Sequence, residues 1–314
     1  MLSSALDILA IAAHRDDVEQ TCGGTLLKMA QVGHRTGILD LTRGEMGTRG
    51  TAEDRAREAA GAAKILQVSW REALDIPDGR VENTWENRLK VARVIRQTRP
   101  RVVILPYWKG RHPDHYTASK LAYEACFLGG LVKLDVERAL SNQQSAFSQV
   151  ASAVASLVAG ETQRLPAAVK AGQKARRSGT TVSRALPGRA GGSVQLDRAA
   201  ENSEASTSAG GAPAPHRPFK IIYATLYHHV RPTFVVDISE QFEARFESLM
   251  AYQSQFSNQD AGKDIFPARE EIRARIESMA RFYGMMAGVS YAEPFLQKEV
   301  GLVEDVTAIP VKSI

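Results

Sequence analysis

The chain contains 314 residues, of which 44% are hydrophobic and 24% are charged, and this composition is ordinary for a folded globular protein. The formal net charge of +5 is concentrated in residues 136–217, which hold ten Lys and Arg against five Asp and Glu, so the balanced remainder gives no support to nucleic-acid binding. Because the sequence shows no secretory signal, no run near ~20 apolar residues and no C-x-x-C, we expect a cytoplasmic protein that uses no membrane and no disulfide framework.

Residues 5–131 alternate short, β-branched apolar runs with helix-forming segments. The runs predict strands at 5–13, 36–42, 72–76 and 101–107, and the intervening segments predict helices at 20–32, 52–67, 86–98 and 115–128. Alternation of this kind favours an α/β fold with a mostly parallel sheet and helices on both faces.

Residues 136–217 interrupt this pattern with a long low-complexity segment rich in Ala, Ser, Gly, Gln and Arg. Apolar residues at 147–158 favour at most a short helix, and the remainder has too little apolar surface to offset the entropy of ordering. We expect a flexible, disordered insertion, with residues 1–135 and 218–314 forming a single domain.

Regular structure is expected to resume after the insertion. F-K-I-I-Y-A-T-L-Y and P-T-F-V-V-D-I-S predict strands, and Ser239 is the predicted N-cap of the next helix. Phe242, Phe246 and Leu249 fall on one face of that helix, which predicts core packing. The last helix is predicted at roughly 268–286.

Two clusters of histidine and aspartate directly follow predicted strands about a hundred residues apart. A-A-H-R-D-D-V-E follows the first strand and G-R-H-P-D-H the fourth; they contain His14, Asp16, Asp17, His112, Asp114 and His115. Parallel strands would deliver these side chains to one edge of the sheet, where α/β proteins bind ligands. Since imidazole and carboxylate suit zinc and similar divalent ions, the clusters predict a joint metal site.

The residue types also suggest a division of roles within such a site. Of the two adjacent aspartates, one can ligate the metal while the other works as a base. Asp114 is expected to be a capping residue that orients a neighbouring imidazole from outside the ligand set.

Two further segments are candidates for substrate contacts. Arg43 and Arg49, in L-D-L-T-R-G-E-M-G-T-R-G-T after the second strand, could hold an anionic group such as a carboxylate. The alternative is a turn-rich surface loop. Tyr227 and His228, in A-T-L-Y-H-H-V, are expected to border the pocket, although Y-H-H also fits a strand cap.

The clusters resemble the motifs of the PIG-L/LmbE-like N-acetylglucosaminyl deacetylases, which carry A-H-P-D-D-x-E early and H-x-D-H later. Here the segments read A-H-R-D-D-V-E and H-P-D-H. D-L-T-R-G-E-M-G-T-R-G-T, P-Y-W-K-G-R-H-P-D-H, A-Y-Q-S-Q-F and G-V-S-Y-A-E-P-F resemble one branch, the deacetylases of bacillithiol biosynthesis. The resemblance covers roughly 1–135 and 218–298.

The resemblance implies a Rossmann-like fold and one zinc ion per subunit, held by His14, Asp17 and His115. It implies that Asp16 is the general base and that His112, as an imidazolium, stabilises the oxyanion. The implied substrate is a small glycoside, N-acetylglucosaminyl-malate, whose acetyl group leaves as acetate and whose malyl carboxylates would meet the two loop arginines. A homo-oligomer is also implied, since family members are commonly hexamers.

One departure and two alternatives remain open at this stage. Arg15 stands where the family carries proline, and we expect it to free the turn and to place a cation beside Asp16. The nearest alternative function is deacetylation of another N-acetylglucosamine conjugate, such as an S-conjugate or an inositol glycoside. A non-catalytic α/β nucleotide- or metal-binding protein is less compatible, because G-x-G-x-x-G is absent after the first strand and all five implied site residues are present.

Overall fold

The computed structural model describes residues 5–143, 145, 148, 149, 152, 194, 195, 213–226, 228–256, 267–309 and 311. The chain divides into two compact units, the larger made of Met1–Leu134 with Gly191–Ile314 and the smaller of Asp135–Ala190. The larger unit contains the sheet and both histidine clusters.

Among the described residues, the larger unit has one eight-stranded sheet in the order β5-β3-β2-β1-β4-β6-β8-β7. The strands are β1 Ile8–Ala12, β2 Thr36–Asp40, β3 Trp70–Ala73, β4 Val102–Pro106, β5 Val194–Gln195, β6 Lys220–Ala224, β7 Phe234–Asp237 and β8 Ala292–Leu296. The inner pairs β3–β2, β2–β1, β1–β4 and β4–β6 are parallel, while β5 and the β6–β8–β7 edge pair antiparallel. The predicted α/β fold with a mostly parallel sheet is confirmed.

Helices of the larger unit cover both faces of this sheet. They are α1 Asp17–Thr21, α2 Gly23–Gln31, α3 Ala52–Ile65, α4 Trp85–Thr98, α5 Pro113–Gly129, α6 Phe242–Met250, α7 Gln253–Phe256 and α8 Arg269–Ala287. Within the described part of the chain, we find no helix with the length and apolarity that crossing a bilayer requires.

The two faces form separate cores because successive strand residues point to opposite sides of a sheet. Leu9 of β1 packs in the core that contains α4 and α5, whereas Ala10 packs in the core that contains α1 and α2. All five residues of β1 are buried, as are all five of β2. The first strand therefore lies at the centre of the sheet, and the residues that follow it emerge at the middle of one edge.

The helix predicted at 20–32 is two helices, which break at Cys22. The backbone N–H groups of Gly24 and Thr25 donate to the Glu293 carboxylate at 2.9 and 2.7 Å, so a distant acid caps the start of α2. A Cβ on Gly24 would lie 3.0 Å from Glu293 Oε1, and glycine permits this close approach.

Other boundaries also differ from the predictions. The third strand lies at Trp70–Ala73, two residues before its predicted start. Ser239 is not an N-cap, because its hydroxyl donates to Asp237 Oδ1 and α6 begins only after Gln241. Strand β8 was not predicted.

Most of the predicted insertion, residues 136–217, lies outside the described residues, and its flexibility stays a prediction. Residues 136–143 of the smaller unit are helical, as are 145, 148, 149 and 152, the last three of which fall within the short helix that the sequence favoured at 147–158. In the larger unit, Val194–Gln195 forms the short strand β5 against β3.

Candidate active site

The topology of the sheet brings the two clusters together. Strands β1 and β4 are parallel neighbours, with Ile8 opposite Val102 and Ala10 opposite Ile104, so their carboxyl ends lie side by side. His14 follows β1 by two residues, and α5 carries the second cluster at its start.

Three side chains from the clusters converge on one point. His14 Nδ1 lies 3.2 Å from His115 Nε2, and His115 Nε2 lies 3.2 Å from Asp17 Oδ1. His14 Nδ1 lies 3.6 Å from Asp17 Oδ2. We call His14, Asp17 and His115 the triad.

The spacing within the triad fits a tetrahedral metal ion. Nitrogen and oxygen ligands about 2.0–2.2 Å from a tetrahedral zinc are separated from each other by roughly 3.3–3.6 Å. The separation of 3.2 Å between the two ring nitrogens, and those of 3.2 and 3.6 Å from a ring nitrogen to Asp17 Oδ1 and Oδ2, are close to this range. Three protein ligands leave a fourth position for water or substrate, as catalytic zinc requires.

Two other groups of side chains have comparable spacing. His14, His112 and His115 place ring nitrogens within 4.8 Å of one another, and so do ligand atoms of His14, Asp78 and Asp114. Of the triad, Asp17 and His115 border a cavity. Asp114, by contrast, is 2% exposed.

The opposite nitrogen of His14 faces two carboxylates. His14 Nε2 lies 3.2 Å from Asp114 Oδ2 and 3.2 Å from Asp78 Oδ1. Asp114 in turn accepts hydrogen bonds from the backbone N–H groups of Gly79 and Val81 at 2.8 and 3.2 Å. A carboxylate that accepts the second N–H of a ligating histidine fixes the ring orientation and raises its basicity.

Asp78 was missed by the sequence analysis. It lies in I-P-D-G, the turn after β3, and therefore at the same edge of the sheet as both clusters. An acid at the end of a third neighbouring strand was the available signal, but P-D-G is also an ordinary turn sequence.

These contacts shift the pKa values of the triad. Burial alone would lower the pKa of His14, but hydrogen bonds to Asp114, Asp17 and Asp78 outweigh burial and raise the pKa to about 12. Burial would raise the pKa of Asp17, but the charges and hydrogen bonds of His115 and His14 hold it well below its usual range. A bound metal would therefore replace a proton on an imidazole whose carboxylate partner is already ionised.

Asp16 lies beside the triad in an unusual backbone conformation, with φ 110° and ψ −19°. Positive φ is uncommon for residues other than glycine, and aspartate and asparagine tolerate it best. Burial raises the pKa of Asp16 above its ordinary value, and the Arg55 guanidinium opposes part of that shift.

The cation beside Asp16 is Arg55, so the expectation that Arg15 places a cation there is wrong. Arg55 Nη2 lies 3.3 Å from Asp16 Oδ1 and also donates to the Arg15 carbonyl. The Arg15 guanidinium is directed instead to α3, where Nη1 donates to the Ala52 carbonyl at 2.8 Å. Arg55 gave no signal in the sequence, because an arginine within a helix-forming run is usually a surface residue.

His112 stands at the entrance of the site as the N-cap of α5. Its Nδ1 accepts the backbone N–H of Asp114 at 3.2 Å, and its ring centroid lies 4.8 Å from that of His14. Burial lowers the pKa of His112, and the charges of His14 and His115 lower it further. The backbone N–H donated to Nδ1 favours the tautomer that carries its proton on Nε2.

The two loop arginines have different surroundings. Arg43 is exposed after β2. Arg49 is only 5% exposed, and its Nη1 donates to the Gln255 carbonyl at 3.1 Å while Gln255 Nε2 donates back to the Arg49 carbonyl at 2.6 Å. Arg49 therefore ties its loop to α7, and Arg43 is the more accessible cation.

The last pair of predicted substrate contacts is only partly described. Tyr227 lies outside the described residues. His228 is half-buried, and its ring centroid lies 5.4 Å from that of Tyr107. Tyr107 lines the same cavity as Asp17 and His115.

That cavity, which we call the inner cavity, has a volume of about 30 Å³. Asp17 and His115 form its polar edge, and its remaining walls include Ala12, Val18, Ile104, Thr21 and Leu226. A small apolar space thus lies directly beside the triad.

Comparison with known proteins places the chain among deacetylases. The family model of PIG-L, described as GlcNAc-PI de-N-acetylase, matches residues 9–126, which include both clusters. Diacetylchitobiose deacetylase of Thermococcus kodakarensis is 26% identical over 297 residues, covering 91% of this chain and 80% of that protein. The uncharacterized deacetylase YaiS of Escherichia coli is 33% identical over 135 residues, covering 40% of this chain and 72% of that protein.

A solved structure extends the similarity over nearly the whole chain. The conserved protein TT1542 from Thermus thermophilus has a TM-score of 0.64 and 31% identity, and the match covers 95% of this chain and 98% of that one.

Proposed function

The chain belongs to the PIG-L family of de-N-acetylases, and we propose that it removes the acetyl group of an N-acetylglucosamine conjugate by zinc-dependent hydrolysis. The observation that carries this proposal is the spacing of the triad, in which His14 Nδ1 and His115 Nε2 lie 3.2 Å from each other and 3.6 and 3.2 Å from Asp17 Oδ2 and Oδ1, close to the ligand separations of a tetrahedral zinc site. The similarity to a diacetylchitobiose deacetylase supports an N-acetylglucosamine substrate.

His14, Asp17 and His115 would hold the ion. When bound, zinc would polarise the acetamide carbonyl and lower the pKa of a water molecule to ~7. Asp114 and Asp78 accept from the far side of the His14 ring and fix its orientation, so that Nδ1 faces the ion.

Asp16 would take the proton from the attacking water and deliver it to the leaving amine. A base works best when its pKa approaches the working pH, and burial moves the Asp16 carboxyl in that direction. Arg55 keeps the ionised form of Asp16 available and holds its carboxylate in position.

His112 would stabilise the oxyanion that develops on the carbonyl oxygen. Because Nδ1 is occupied by the Asp114 N–H, the donor is the Nε2–H of a neutral ring. A neutral donor at a developing negative charge is sufficient for this role.

We further propose that the substrate is N-acetylglucosaminyl-malate, the acetylated intermediate of bacillithiol biosynthesis. The support is the resemblance of the 39–51 loop to that branch and the exposure of Arg43 within it. Arg43 would meet a malyl carboxylate, Arg49 would hold the loop through Gln255, and Tyr227 and His228 would border the sugar. Another N-acetylglucosamine conjugate remains the alternative substrate.

A homo-oligomer is also proposed. The support is the resemblance to a family whose members are commonly hexamers; Val300 and Leu302, which are 98% and 91% exposed, are apolar side chains available to a second subunit. Light scattering after gel filtration gives the mass directly, and a monomer at micromolar concentration would contradict the proposal.

A panel of substrates tests the proposed function. The zinc-loaded protein should release acetate fastest from N-acetylglucosaminyl-malate, more slowly from diacetylchitobiose and slowest from plain N-acetylglucosamine. If acetate is released fastest from an inositol glycoside or an S-conjugate, the proposed substrate is wrong but the proposed deacetylation stands. If none of these compounds releases acetate, the proposed deacetylation is wrong.

A further inference from the structure

The inner cavity has a neighbour that shares two of its walls. A second cavity of about 40 Å³, which we call the outer cavity, is lined by residues of α8 that include Ile276 and Met279. Thr21 and Leu226 line both cavities. These two side chains therefore form the partition between the space beside the triad and the space under α8.

The two halves of the partition differ in how firmly they are held. Thr21 Oγ1 donates to the Asp17 carbonyl at 2.8 Å and lies 3.7 Å from Cys22 Sγ. Leu226 is half-buried and contributes an apolar side chain that can be shortened without removing a hydrogen-bonding side-chain group. Leu226 is therefore the part of the partition that a substitution can open.

The size of the inner cavity matches a short acyl group. About 10–15 Å³ of cavity is enough for one water-sized group, so about 30 Å³ accommodates roughly two or three such groups, as in an acetyl group. A propionyl or butyryl chain would have to displace Leu226 or leave the cavity.

We propose that the inner cavity receives the acyl group of the substrate and that Leu226 limits the length of the acyl chain that the enzyme removes. This inference rests on the proposed deacetylase function. The chemistry is identical for every chain length: water adds to the carbonyl carbon, the C–N bond breaks, and the amine leaves with a proton. Selection among acyl groups must therefore come from how well the acyl chain fits the inner cavity. Leu226 blocks the extension of a longer acyl chain toward α8.

The test measures kcat/KM for N-acetyl, N-propionyl and N-butyryl forms of one glucosamine conjugate. In the zinc-loaded wild-type enzyme each added methylene should cost about 10- to 200-fold. Leu226→Ala should join the two cavities and lower the acetyl-to-butyryl ratio at least tenfold, with Leu226→Val giving a smaller change in the same direction.

A matched control separates opening of the partition from general loosening. Met279→Ala enlarges the outer cavity but leaves the partition intact, so it should retain the wild-type ratio. Competitive inhibition by acetate, propionate and butyrate provides a second readout that needs no bond cleavage. Butyrate should become a better inhibitor of Leu226→Ala than of the wild type.

Two results would count against the inference. If Leu226→Ala and Leu226→Val remain folded and deacetylate the acetyl substrate with the wild-type ratio, the cavity does not select the acyl group. If Met279→Ala changes the ratio as much as Leu226→Ala, the partition has no special role. Failure of the wild-type enzyme to cleave any acyl form would instead reject the proposed function, and this inference with it.

Discussion

Replacing Asp16 by asparagine is the sharpest test of the division of roles between the two adjacent aspartates. Asn tolerates the positive φ that Asp16 adopts, and its amide retains an oxygen that can accept from Arg55 Nη2. Asp17 and the two ligating histidines are untouched, so Asp16→Asn should bind zinc as the wild type does. Alanine would confound the test, because it disfavours φ 110°.

The expected loss follows from the proton that asparagine cannot accept. Positioned general bases contribute about 10²–10⁴-fold to the rate, which corresponds to roughly 2.7–5.4 kcal/mol of barrier. Zinc content is measured by mass spectrometry on the same sample that is assayed for acetate. Asp7→Asn is the control, since it removes a carboxylate at the opposite end of β1, and it should keep nearly full activity.

Either of two results would refute this reasoning. Acetate release within a few-fold of the wild type would mean that Asp16 is not the base. Loss of zinc together with activity would mean that Asp16 belongs to the ligand set or supports it.

Three further predictions concern the triad and the loop after β2. Asp17→Asn and His115→Ala should each weaken zinc binding, measured by competition with a chromophoric chelator, and unchanged affinity in both would exclude the proposed ligands. Because the pKa of His14 is raised, zinc must displace a proton from its ring when it binds. The apparent affinity of the protein for zinc should therefore rise about tenfold per pH unit between pH 6 and 8 for each proton displaced. A zinc affinity that does not change with pH would contradict the pKa shift. Arg43→Ala should lower kcat/KM for the malyl substrate roughly ten- to a hundredfold, as expected for one charge-assisted hydrogen bond, and leave plain N-acetylglucosamine nearly unaffected; equal losses on both would assign Arg43 to the shape of the loop.

The parts of the fold and site that follow from local sequence were predictable. The apolar runs at β1, β2 and β4 and the acid and histidine residues that follow β1 and β4 are contiguous signals, and a parallel sheet places their ends together. The residues that complete the site were not predictable from local sequence, because their roles depend on contacts with distant parts of the chain. Asp78 and Arg55 become recognisable only when β3 and α3 are in place beside the clusters.

Strand β8 shows the same limit in the fold. Its sequence, A-E-P-F-L, contains a proline and a glutamate, which argue against a strand within a sheet. Glu293 is nevertheless 1% exposed, because it accepts the backbone N–H groups that open α2 and pairs with Arg245 at 3.0 Å. A partner 269 positions away in the chain cannot be read from local pattern.

The dependence of acetate release on zinc tests the central claim most directly. Metal-stripped protein is titrated with zinc, and acetate release from N-acetylglucosaminyl-malate is measured at each step. We predict no release without metal and a linear increase that ends at one equivalent per chain, as a single site formed by His14, Asp17 and His115 requires. Full activity in the stripped protein, or no release at one bound equivalent, would contradict the account.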